Sequence, residues 1–461
     1  MKRGRQRAAG LLAATLLLAS CASLPEVDRL SSTLTPAPPA VANAGPLTPA
    51  TRAQLARRWR PAGDQRRLNA LEEAATGVPL IGGNQVTLLF DGPQTMAAML
   101  QAINGARNNI NLETYIFDQD TMGMTFADAL IAKQRAGVTV NVMYDSVGTI
   151  GVPQAFFERM RAAGIHLVAF NPINPARLHG DDWKLNNRDH RKVLIVDGKV
   201  AFTGGVNISA TYAKSSLFRS KSKGRNAVPD PDALGWRDTH VRVEGPAVWA
   251  FQWAFLRGWA SQDASDLADA DYFPPQVAVG DKAVRVIASA PGGDFEIYKA
   301  YLLAMQEARS SIHMTAAYFV PDPQTLAALT AAARRGVDVK IVLPGVSDSS
   351  LVFYAGRRYY TPLLDAGVKI YQLRSAVLHA KTAVIDGHWS TVGSTNIDMR
   401  SFLHNSELNV VVPGSAFGRD MEAAFAEDLR DSDQITPAQW AARPLSDRAK
   451  EWAARVMDYW L

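Results

Sequence analysis

The spacing of apolar and polar residues changes period many times along the chain, and the changes come in a fixed order. VTLLF (86–90) is a short strand-like run closed by Asp-Gly, and TMAAMLQAINGA (95–106) carries apolar residues at helical spacing. INLETYIF (110–117) alternates as a strand, and FADALIAKQRAG (126–137) returns to helical spacing up to Gly137. VTVNVMYD (138–145) then predicts a strand, AFFERMRAAG (155–164) a helix and IHLVAF (165–170) a further strand. Strands alternating with helices of this length predict an α/β layered sheet. The order repeats downstream. AYLLAMQEARSSIHMTAAYFVPD (300–322) matches the first helix and strand, LAALTAAARRGVDVKIVLPG (326–345) the next pair, and LLDAGVKIYQL (363–373) the last. RAGVTVNV (135–142) against RRGVDVKI (334–341) indicates a duplicated unit, joined within the acidic, Pro-containing stretch 261–276. Gly164 and Gly367 each follow a helix, where a left-handed cap conformation is expected.

In each unit the same skeleton comes next. Residues 190–207 read HRKVLIVDGKVAFTGGVN, and residues 379–396 read HAKTAVIDGHWSTVGSTN. His190, Lys192, Asp197 and Asn207 therefore recur as His379, Lys381, Asp386 and Asn396. A β-branched run, Asp-Gly and a second apolar run predict a buried strand, a tight turn and a return strand. A His and a Lys two residues apart share one strand face, and the return strand brings the Asn back beside them. Two imidazoles, two ammonium groups and two carboxamides suit a phosphate diester: one His attacks phosphorus while the other protonates the leaving oxygen. The lysines and asparagines would hold the non-bridging oxygens. Asp197 and Asp386 complete the skeleton as candidate catalytic residues, although an Asp-Gly turn gives them a simpler task in shaping the turn. Asp238 in WRDTHVRVEG and Glu407 in HNSELNVVV each precede an alternating run and are candidates for fixing an imidazole tautomer. Asp238 follows Asn207 by 31 residues and Glu407 follows Asn396 by 11, so the first unit carries an insertion.

The paired skeletons resemble the HKD signatures of the phospholipase D superfamily. NLETYIFD (111–118), WRDTHVRVEGPAV (236–248), AYFVPD (317–322) and GSTNIDMRSF (393–402) are similar to its bacterial cardiolipin synthase branch. The resemblance implies two phospholipase D-like α/β/α sandwich domains, 66–265 and 266–461, in a pseudo-twofold arrangement with the active site between them. It further implies a phosphatidyltransferase with His190 as nucleophile, a phosphohistidine intermediate, and His379 as general acid and then base. Phosphatidylglycerol is the expected donor and acceptor, with phosphatidylethanolamine as a further donor, and cardiolipin the product. Hydrolysis to phosphatidic acid is the alternative, and a nuclease-like phosphodiesterase a more distant one. No cofactor is expected, and a monomer carrying its own internal pair would suffice.

The first 20 residues hold Lys2, Arg3, Arg5 and Arg7 before an apolar run, which predicts a secretory signal. It closes in Leu18-Ala19-Ser20-Cys21, similar to a lipoprotein signal. Lipidated Cys21 would anchor the protein to a membrane, and Ala22 points to the outer membrane, facing the periplasm. Residues 21–65, rich in Pro and Ala, are expected to form a tether. The formal charge of +5 falls to +1 once the four cations of the leader are set aside, which removes any global case for nucleic acid. Cys21 is the only cysteine and no histidines show His-x-x-x-His spacing, so no metal site is expected. The insertion KSSLFRSKSKGR (214–225) is basic and would suit anionic headgroups. The terminal stretch 447–461 places Trp452, Val456 and Trp460 at helical spacing, for packing or for interfacial insertion.

Overall fold

The computed structural model describes residues 23–27, 41–42, 63–174, 186–213, 234–262 and 267–454. In the first half the strands lie in the order Leu80–Leu89, His240–Glu244, Val200–Gly204, Lys192–Val196, Asn109–Thr114, Thr139–Asp145 and His166–Phe170. The second half repeats it as Lys282–Ser289, Asn405–Pro413, Trp389–Gly393, Lys381–Ile385, Ser311–Ala316, Asp338–Pro344 and Lys369–Leu373, with Ser432–Ile435 added at the edge. In both, three parallel strands linked by helices meet an antiparallel set that contains the hairpin of the repeated skeleton. Gly164 and Gly367 adopt φ 93° each, the cap conformation their positions predict.

Side-chain alternation explains the layers. Leu194 and Val196 face the helices Gly92–Gly105, Thr121–Arg135 and Gln154–Ala162, packing near Met96, Ile103, Phe126, Leu130 and Phe156. Val193 and Ile195 face the other way, into a core shared with Phe251 and Phe255 of helix Val248–Ala260. That core continues without a break into Val284, Val410 and Val412 of the second sheet and Phe417 and Met421 of helix Ser415–Arg430. A fully buried Val or Phe stabilises the fold by about 1.5–3 kcal/mol. A contiguous apolar layer of this kind therefore holds the two halves as one body. Strand Leu80–Leu89 stitches them further, pairing Ile81 and Asn84 with the second sheet and residues 85–89 with the first.

Two segments depart from the expected boundaries. Helix Gly63–Thr76, assigned by position to the tether and the first domain, packs on the second half: Leu68 and Leu71 enter the core of helix Glu296–Glu307. The reason is that helix Glu296–Glu307 buries every residue from Ile297 to Met305 except Lys299 and needs a cover. Glu72 in that cover bonds Arg285 and the Trp389 indole, both buried. The start of the tether is docked as well. Val27 is buried, its N–H donates to Gln324 Oε1 at 2.6 Å, and Gln324 Nε2 donates back to Pro25 O at 2.8 Å. Cys21, the insertion 214–225, Val456 and Trp460 lie outside the described residues. Among the described residues no helix is long and apolar enough to cross a membrane.

Candidate active site

The catalytic candidates meet where each half lends a strand to the other. Arg188–Asp189 pairs in parallel with Asn405–Ser406, so the His190 N–H donates to Ser406 O at 2.9 Å. Trp236–Arg237 pairs in parallel with Val377–Leu378, and the His379 N–H donates to Arg237 O at 2.8 Å. Each histidine is thereby set beside the residue that follows in the opposite half. His190 Nδ1 lies 3.0 and 3.1 Å from the Glu407 carboxylate oxygens, and His379 Nδ1 lies 2.8 Å from Asp238 Oδ2. The carboxylates are exchanged between the halves. Both imidazoles open on one cavity of about 210 Å³, lined from the two halves by Tyr115, Asn207, Tyr212 and Trp236 and by Tyr318, Asp348, Asn396 and Asp398.

A carboxylate on Nδ1 fixes the proton there and turns the Nε2 lone pair toward the cavity. Burial pushes His190 down to about 4, against the pull of Glu407, so its ring is neutral near pH 7. Burial also holds His379 well below its ordinary value. The two carboxylates differ. Burial would raise Glu407, but His190, Lys192 and Ser394 outweigh it and keep the group below the usual range. Asp238, for which burial prevails over Lys381 and the Thr239 N–H, is pushed up to about 6.

Comparison with known proteins places this arrangement. The family described as cardiolipin synthase, phospholipase D-like domain matches twice, over residues 99–217 and 301–429. Cardiolipin synthases of Alkalihalophilus pseudofirmus and Geobacillus kaustophilus are 34% and 35% identical over 383 and 382 residues, each match covering 82% of this chain and 73% of the relative. This chain belongs to that family. A crystal structure of phosphatidylserine synthase from Haemophilus influenzae Rd KW20 shares its fold, with a TM-score of 0.62, 12% identity, and coverage of 87% of this chain and 100% of that one.

In this member of the cardiolipin synthase, phospholipase D-like family the remaining skeleton residues fall into three groups. Asn207 and Asn396 line the cavity. Asn207 is locked, accepting the Ile116 N–H at 3.1 Å and donating to the Tyr212 hydroxyl at 2.8 Å. Lys192 and Lys381 stand behind the histidines and do not line the cavity. Lys192 Nζ donates to His190 O at 2.6 Å, and Lys381 Nζ to His379 O. Burial lowers Lys192 to about 7 and Lys381 to about 8. Asp238 and Glu407, candidates for fixing an imidazole tautomer, hold the histidines and do not line the cavity either.

Asp197 and Asp386, candidate catalytic residues from the motif, are at the wrong end of their hairpins. Each has a positive φ (52° and 53°) in the tight turn. Asp197 accepts the N–H groups of Arg107, Asn108 and Asn109; Asp386 accepts those of Arg309, Ser310 and Ser311. A five-residue strand separates each from its Lys, about 17 Å of chain. They fasten the turn to the neighbouring strand, which keeps the hairpin in register.

Sequence reasoning missed the aromatic walls. Tyr115 meets His190 edge-on at 5.1 Å, and Trp236 lies 5.1 Å from His379. Both sit inside quoted phrases, NLETYIFD and WRDTHVRVEG, where only the charged residues had an obvious task. The Gly-Gly against Gly-Ser difference in the skeleton also has a cause. A Cβ on Gly205 would come within 2.1 Å of Asp238 Oδ1, whereas Ser394 at the matching position donates to Glu407.

Proposed function

We propose that this protein transfers a phosphatidyl group between lipids through a phosphohistidine, with phosphatidylglycerol as donor and acceptor and cardiolipin and glycerol as products. The observation that carries the reading is the pair of buried imidazoles, one from each half, sharing one cavity with their Nδ1 atoms held by carboxylates. His190 Nε2 attacks phosphorus; the P–O bond to glycerol breaks, and that oxygen takes a proton from His379 Nε2. The acceptor's free hydroxyl then attacks phosphorus, its proton passes to His379, and the bond to His190 breaks. The unequal carboxylates support this division. Glu407, kept ionised, leaves His190 with a free Nε2 lone pair, while Asp238, nearer to retaining a proton, suits the partner that carries one. The bound diester anion favours the protonated form of His379. Lys192 and Lys381 supply positive charge behind the imidazoles.

Purified protein on phosphatidylglycerol vesicles tests this directly. Cardiolipin is the expected product; phosphatidic acid alone would assign hydrolysis, and cleavage of single-stranded DNA would assign a nuclease. Anchoring through Cys21, in the outer membrane facing the periplasm, is part of the same proposal and rests on the leader sequence. Cys21→Ser should release the protein from membranes and abolish labelling by a fatty acid.

A further inference from the structure

The two halves of the cavity are not equivalent, and the difference lies in the segment 396–405. On the first-half side Asn207 is fully engaged, by Ile116 and Tyr212. On the second-half side, Asn396 and Asn405 are buried, line the cavity, and each keeps a carboxamide oxygen with no hydrogen-bond partner among the described residues. Such atoms cost stability unless a ligand satisfies them. Arg400 lines the same cavity. Its guanidinium donates to Asn186 Oδ1 at 3.1 Å and to Asn186 O at 3.5 Å, both neutral, and it makes no ion pair with a carboxylate among the described residues. The acids nearby are otherwise engaged: Asp348 accepts from Tyr318 at 2.7 Å, and Asp398 caps Ser401 at 2.7 Å. Arg188, the other guanidinium in the wall, is committed to Asp145, Ser146 and the carbonyls of Asn171 and Asn187.

A planar guanidinium with no carboxylate in ion-pair contact among the described residues, sharing a cavity wall with Asn396 and Asn405, fits a phosphodiester beside hydroxyl-bearing carbons. The reacting phosphorus is already claimed by the two histidines. We propose that Arg400, with Asn396 and Asn405, forms a second anion subsite that holds the acceptor lipid by its own phosphate and presents its glycerol hydroxyl to the phosphohistidine. This rests on the transfer reaction proposed above, in which the acceptor's phosphate and hydroxyl are separated by a single glycerol bridge. Attack of that hydroxyl forms the new P–O bond, breaks the bond from phosphorus to His190 Nε2 and passes the proton to His379 Nε2. Water needs no such hold, so the subsite biases the shared intermediate toward lipid.

The test is the ratio of cardiolipin to phosphatidic acid from phosphatidylglycerol vesicles, for wild type, R400Q and R400K. Both products leave one phosphohistidine, so the ratio does not depend on how fast that intermediate forms or on the fraction of folded protein. R400Q should lower it by roughly ten- to a hundredfold, the loss expected for a charge-assisted bidentate contact. R400K, which keeps the charge without the fork, should fall between. The ratio with labelled free glycerol as acceptor, which has no phosphate, should stay near wild type. An unchanged cardiolipin ratio overturns the subsite, as does loss of both products together in R400Q and R400K, which would assign Arg400 to the reacting phosphate or to folding. Wild-type protein that forms only phosphatidic acid would instead defeat the transfer reading itself.

Discussion

Replacing Glu407 by Gln tests the exchange of carboxylates most directly, because the residue is in the half that supplies the other histidine. The substitution keeps the volume in a fully buried position and removes the charge. Two losses follow. A charge-assisted hydrogen bond to Nδ1 is worth about 1.5–3 kcal/mol, roughly a factor of ten to a hundred. A Gln amide can also donate to Nδ1, which moves the proton to Nε2 and takes away the lone pair that attacks phosphorus. Together they should lower kcat/KM by about 10³–10⁴, the scale seen when an orienting carboxylate is made an amide. Asn405 Nδ2 and Ser394 Oγ bond different oxygens of Glu407; with the Gln carbonyl toward Asn405, the Ser394 hydroxyl can turn to accept from the Gln amide, so the fold should survive. The assay compares two soluble diesters that share a phosphoryl group, one with glycerol as leaving group and one with nitrophenolate. E407Q should lose equally on both, since its defect is in the nucleophile. D238N, behind His379, should lose far less on nitrophenolate, which departs without a proton. A tenfold or smaller effect of E407Q, or rescue of E407Q by the good leaving group, would refute the assignment of Glu407 to the attacking histidine.

Other consequences are simpler to measure. In kcat/KM for a soluble nitrophenyl diester, which needs no proton from His379, Lys192 and Lys381 are charged below about 7 and 8 and neutral above, so activity should fall as pH rises through 7–8. On the acid side His190 gains its proton only near 4, so activity should persist well below the pKa of a free imidazole. Asp386→Ala removes the acceptor of three backbone N–H groups and leaves Ala at a positive φ; Tm should drop by the equivalent of about 1–3 kcal/mol while kcat stays within a few-fold. Gly205→Ser should drive Asp238 off His379, and general-acid activity should be lost even though Ser is the natural residue at the matching Ser394.

The two-fold repeat of strand and helix periods carried most of the fold, because the inner strands alternate between two buried faces and the matching helices of each half run into a glycine of positive φ, Gly137 and Gly164 in the first and Gly336 and Gly367 in the second. What periodicity could not carry was partnership between distant elements. Helix Gly63–Thr76 has an ordinary amphipathic sequence, and only the near-complete burial of helix Glu296–Glu307 decides which half it covers. The site shows the same limit. His190, His379, Asn207 and Asn396 were legible as cavity residues because the spacing repeats. The place of Lys192 and Lys381 was not, since a lysine that donates to the carbonyl two residues back looks the same in sequence as one that reaches substrate. Asp197 and Asp386 show that an invariant place in a repeated skeleton can mark a turn and carry no chemistry.

The exchange of carboxylates gives the duplication a physical purpose. A unit on its own has a histidine whose Nδ1 lacks its carboxylate and a buried carboxylate that lacks its imidazole, and an unmade hydrogen bond of this kind is costly in a dry interior. Bringing the units together satisfies each with the other: His190 with Glu407 and His379 with Asp238. The short parallel pairings Asn405–Ser406 with Arg188–Asp189 and Val377–Leu378 with Trp236–Arg237 set that register through backbone hydrogen bonds. Assembly of the site and association of the halves are then one event. A proline at Ser406 or Arg237 should therefore weaken activity and interdomain stability together, because strand geometry there is what delivers the carboxylate.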